Sequence, residues 1–139
     1  MRPKTRLDPV VKLEEKREEQ RLTEMSEAAR ALEAAEAQLE QRRAHARSDQ
    51  RRTASASDWQ LAELSHTRVL SEVRAAEHAV KDASVASTAS RDRYTQAYTR
   101  AEAIRRVANA RVEEIVLAQD RAERREHDEL GVLRFGRAA

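Results

Sequence analysis

Between Pro9 and Gly131 the chain contains neither glycine nor proline, the two residues that most readily end a helix or reverse a chain. No residue in that span therefore forces a break. What remains is long helix or disorder, and composition decides between them. Charged residues make up 37% and aromatic residues 3%, too little apolar material for an ordinary globular core. Disordered chains are rich in Pro and Gly and carry uncompensated charge, whereas here 27 basic residues face 25 acidic ones. Abundant Ala, Glu, Arg, Leu and Gln is the composition of coiled coils and long helices. Alanine alone supplies 26 of the 139 residues, and a methyl group buries little area, so a thin helix–helix seam is expected.

Helix ends must be found from weaker signals. Asp8 before Pro9 suits an N-cap followed by proline at the first helical position, giving a first helix over about 8–48. The Ser- and Thr-rich stretch SDQRRTASASDWQ is read as a loop at 49–57, with Ser57 or Asp58 capping a second helix over about 58–133 and Trp59 stapling the tip. Gly131 is where that helix should begin to stop. Steps of four and three from Val11 give 11, 15, 18, 22, 25, 29, 32, 36, 39, 43 and 46, of which seven are apolar, Leu22 among them. In the second segment steps of three and four from Trp59 run to Glu129 without a slip, and 15 of 21 positions are apolar. The fold class is therefore all-α: a single domain over 1–139 in which two long helices form an antiparallel coiled-coil hairpin. A tip near residue 53 sets Val11 opposite residue 95 and leaves a C-terminal helical overhang of about 36 residues, roughly 54 Å at 1.5 Å per residue. A three-helix bundle turning at DASVASTAS is the rival, disfavoured because the heptad phase passes straight through that stretch.

Several functions have no material here. Cysteine is absent, and no phosphate-cradling loop or nucleophile motif occurs. His45, His66, His78 and His127 have no metal-ligand spacing and read as solvated helix positions. No enzymatic activity, cofactor or metal is therefore expected. The arginines of QRRAHARSDQRR could touch phosphates, but no aromatic platform accompanies them, so a solvated tip is the better reading and no nucleic acid is expected. No apolar run suits a signal peptide or a membrane span, which makes the cytosol the default compartment. The end of the chain is different. LGVLRF gathers Leu130, Val132, Leu133 and the only Phe, Phe135, beyond any hairpin cover, beside Arg124, Arg125, Arg134 and Arg137. It reads as a docking tip.

With these residues in place, both ends of the chain resemble the FliJ-type stalk proteins of the bacterial flagellar type III export apparatus. The start TRLDPVVKLEEKREE resembles the family's FRLxxVLxLRExxE pattern through Leu7, Val10, Val11, Leu13 and Glu14 or Glu15. The end EHDELGVLRF resembles its ELDELAxxRF pattern through Glu126, Asp128, Glu129, Leu130, Arg134 and Phe135, departing from it at His127 and Gly131. The resemblance implies a non-enzymatic stalk that binds the hexameric export ATPase and the cytoplasmic domain of the export gate and assists export chaperones. It also implies a cytoplasmic location, peripheral at the inner face of the cell membrane through the export apparatus. Partner-binding residues expected on this basis, together with the aliphatic overhang, are Leu7, Val10, Val11, Leu13, Ile104, Val112, Ile115, Val116, Asp128, Glu129, Leu130, Arg134 and Phe135. An injectisome stalk and a self-associating structural coiled coil are the alternatives.

Overall fold

A computed structural model describes residues 2–49 and 55–136. They form two helices, α1 over Asp8–Ser48 (41 residues) and α2 over Ala56–Gly136 (81 residues), packed against each other as an all-α helical hairpin with no strand among the described residues. Of the expected loop, 50–54 lie outside the described residues, and with them Arg51 and Arg52; Arg137 lies outside them too. Contacts divide the chain into two units: the N-terminal residues up to Glu18 with α2 from Gln96 onward, and Glu19–Thr95.

The first helix has the expected bounds, but the caps of both helices differ from those expected. Asp8 is not an N-cap but sits inside the first turn, and its carboxylate accepts hydrogen bonds from the Thr5 amide and the Thr5 hydroxyl, each at 3.0 Å. Thr5 and Asp8, three apart, thus form the returning half of a capping box. Those bonds, the backbone one foremost, lower the Asp8 pKa from its ordinary value. At the second start Ser55 is the cap: its hydroxyl accepts from the Asp58 amide at 3.2 Å, so α2 begins two residues earlier than the sequence suggested. Trp59, expected to staple the tip, is 52% exposed.

In the Glu19–Thr95 unit the two segments run antiparallel, with Arg42 bonded to Glu72 at 3.1 Å, Arg43 to Glu77 at 3.3 Å and Asp49 to His66 at 3.1 Å. Two tip arginines are therefore engaged within the chain. His66 is a half-buried seam residue rather than a solvated one. The stretch DASVASTAS stays helical, and its Ser87 and Ser90 are buried, which excludes the three-helix bundle: small side chains let the helix pass through without a turn.

Along α2 every seam position expected from Ala62 to Ala108 is buried or half-buried. Along α1 the phase is different. Val11, Glu18, Met25, Leu32, Leu39 and Ala46 lie inward as expected, but the alternate seam positions are Glu14, Arg21, Ala28 and Ala35, not Glu15, Leu22, Ala29 and Glu36. Leu22 is 43% exposed. The apolar count is equal for the two alternates, Leu22 and Ala29 against Ala28 and Ala35; the leucine drew the expected phase, although alanine is what lets the helices approach.

Candidate partner-binding surface

The unit holding both chain ends contains every residue expected to meet a partner. Its paired part is antiparallel. The Arg2 guanidinium donates to the Asn109 side-chain oxygen at 3.1 Å, and Arg100 meets Glu14 at 3.5 Å. Between these rungs the seam is made of methyl groups, Ala101 and Ala108 being only 1% exposed, with Leu7, Val11 and Ile104 half-buried beside them. Ile104 therefore belongs to the intramolecular seam, not to a free surface. Val10 and Leu13 point outward, as helical spacing from the inward Val11 and Glu14 requires.

Glu14 occupies a seam position and is buried. Its carboxylate accepts from Arg17 at 2.9 Å and also faces Arg100. Arg105 bonds to Glu102 and Glu18 and lies 3.4 Å from Glu15. Partial burial alone would lower the Arg105 pKa, but Glu18, Glu102 and Glu15 outweigh it and raise the value. Neither the buried Glu14 nor the cluster around Arg105 was foreseen. A helical wheel drawn on apolar residues cannot flag a carboxylate as a seam member.

Asn109 is the last α2 residue bonded to the N-terminal segment among the described residues. The overhang thus starts near residue 110 and runs to Gly136, shorter than the 36 residues expected, because α1 pairs further along α2 than a tip at residue 53 implies. Val112 and Ile115 are half-buried, Val116 is exposed, and every residue over 116–130 is exposed. Gly131 does not stop the helix: α2 continues through it with no positive φ among the described residues. A single glycine costs a helix about 1 kcal/mol, which flanking Leu and Val tolerate.

Two short apolar bands follow from this continuity. Leu130, Leu133 and Phe135 lie eighteen residues, about five turns, beyond Val112, Ile115 and Leu117, so each repeats its counterpart's direction. Val112, Ile115, Leu130 and Leu133 share the seam side, while Leu117 and Phe135 point away from it. Each band therefore wraps the helix instead of forming a stripe. Leu130, Val132, Leu133 and Phe135 are 62–78% exposed. Asp128, Glu129 and Arg134 are exposed beside them, and from 112 to 136 acidic residues outnumber basic ones seven to four. The overhang as a whole is therefore acidic on balance, although at its tip Arg124, Arg125, Arg134 and Arg137 stand against only Glu126, Asp128 and Glu129.

No group of three or more His, Asp or Glu is placed to hold a metal among the described residues, and no helix is long and apolar enough to cross a membrane. A charged helical hairpin with a thin seam and an exposed, band-bearing helix end defines a coiled-coil protein. The model of the flagellar FliJ protein family matches residues 3–139, and the chain belongs to that family, which ties it to flagellar type III export. No curated protein and no solved structure matches significantly.

Proposed function

We propose that this chain is the stalk of the flagellar export ATPase, acting without chemistry of its own, and that the α2 overhang is the part that enters the ATPase ring. The observation that carries this reading is the pair of apolar bands at 112–117 and 130–135. A flat partner or a second parallel helix covers one side of a helix and leaves Leu117 and Phe135 in water. A ring of subunits contacts an inserted helix from all sides and buries both faces. A stalk that binds the assembled ring more tightly than free subunits favours assembly by mass action. The exposed remainder is left for the export gate and export chaperones, and the protein works in the cytoplasm, peripheral to the inner face of the membrane through those contacts.

Binding and stimulation of the purified export ATPase test the proposal. Replacing Val116 and Leu117 with Ser, or Leu133 and Phe135 with Ser, is expected to weaken ring binding at least tenfold. Melting should be unchanged, because Val116, Leu117, Leu133 and Phe135 are exposed. The control is Leu61→Ser with Leu64→Ser, equally exposed but in the other unit, which should leave ring binding intact. Wild-type behaviour of the overhang variants combined with loss in the control would place the ring at the other end. Light scattering showing a stable dimer that does not dissociate on adding the ATPase would favour the structural coiled coil.

A further inference from the structure

The seam beside the chain ends does not by its shape specify one alignment of the helices. Its buried α2 members are alanines spaced one heptad apart, Ala101 and Ala108, so sliding α1 by seven residues along α2 replaces one methyl group by another. The apolar residues would even gain from such a slip. Leu7, moved about 10 Å toward the C-terminus of α2, would come level with Val112, past the last rung at Asn109, while Val11 would reach Ala108. Something other than hydrophobic packing selects the observed alignment.

Toward the C-terminus of α2 the charged groups are the residues that do not repeat. Glu14 is buried in the seam between Arg17 and Arg100, and Glu18 meets Arg105, which also holds Glu15 and Glu102. One heptad further along α2 the positions of Arg100 and Arg105 are taken by Val107 and Val112. A slip would leave the buried Glu14 carboxylate facing a valine, without its interhelical partner. Taking a carboxylate out of water is expensive unless it is paired, and a polar group at a single seam position is an effective way to fix register at some expense in stability.

We infer that the Glu14–Arg100 and Glu18–Arg105 pairs are a register lock: they hold α1 against α2 in the one alignment that leaves the overhang from residue 110 onward free. The lock sets the reach of the overhang, since each heptad of slip would cover seven more of its residues. It does so whatever partner the overhang meets.

Disulfide mapping on the full chain tests this without background, because the protein has no cysteine. The pair Arg2→Cys with Asn109→Cys reports the observed register, and Arg2→Cys with Val116→Cys reports a one-heptad slip. With the lock intact, the first pair should oxidise and the second should give only a trace. In the Glu14→Leu, Glu18→Leu background the melting temperature should hold or rise while the ratio of slipped to native disulfide increases at least tenfold. Glu14→Gln with Glu18→Gln, which changes charge and not shape, should move the ratio in the same direction and guards against an effect of leucine alone. Three results overturn the proposal: a dominant 2–109 disulfide in both backgrounds, a substantial 2–116 disulfide with the lock intact, or loss of both disulfides while helicity is retained. The first would mean that register is fixed at the tip, and the last that the cluster merely holds the N-terminus down.

Discussion

Leu22 and Leu39 show how little a residue's type says about its role in this chain. Both lie in α1, and both fall on the seam traced from apolar spacing, yet Leu39 is 9% exposed and Leu22 is 43% exposed. The inward neighbour of Leu22 is Arg21, whose guanidinium bonds Glu24 at 2.8 Å. Truncating Leu39 to Ala should therefore destabilise the protein by about 2 kcal/mol or more, through lost burial and the cavity left behind. Leu22→Ala should change stability by less than about 1 kcal/mol, since both residues are strong helix formers and the site is half in water. Urea denaturation of the two variants decides the phase: equal losses would return Leu22 to the seam. The exposed ion pairs contribute little to this balance. Glu40 and Arg47, for instance, bond at 2.8 Å with both side chains 65% exposed, a situation in which solvent screens most of the attraction.

At the scale of the element, α2 is held together by the absence of anything that would end it. Ser84, Ser87, Thr88 and Ser90 lower helix propensity, but two of them are buried against α1, and tertiary packing overrides weak propensity. Gly131 is the other test of continuity. Its backbone is helical, and a Cβ added there would meet nothing within 4 Å. Gly131→Ala should therefore stabilise the last turns by up to about 1 kcal/mol, through lower backbone entropy in the unfolded chain. Amide exchange over 128–136 should slow in that variant. Faster exchange would mean that the glycine adopts a left-handed cap in solution and that the helix ends there. In the continuous helix Phe135 owes its direction to the five turns separating it from Leu117, and the terminal motif is a second copy of an apolar band instead of a frayed anchor.

For the whole molecule, stability should be unevenly distributed, and hydrogen exchange of the isolated protein should show it. Amides over 97–108, a stretch that includes Ala101 and Ala108 at 1% exposure, should be among the best protected. Those over 118–130, where every side chain is exposed, should exchange orders of magnitude faster, because an isolated polar helix has little beyond its own hydrogen bonds to hold it. Addition of the export ATPase should then protect 112–135 selectively. Uniform protection in the isolated chain would contradict the unpaired overhang.

The sequence by itself determined the helices and the α2 seam. A breaker-free chain with compensated charge has no other ordered state open to it, and a seam as regular as that from Ala62 to Ala108 can be counted, since the heptad is a property of one helix. It also carried the family resemblance, because the end motifs are local. Three features were decided only by the tertiary structure. The phase of α1 depended on whether alanine or leucine faces the partner helix, which is a matter of how closely the backbones approach. The length of the overhang depended on register, a relation between two helices that no single-helix pattern encodes. The seam role of Glu14 depended on Arg100, eighty-six residues away in sequence: a buried charge is tolerated only where its counterion arrives, and that is known only once the chain has folded back.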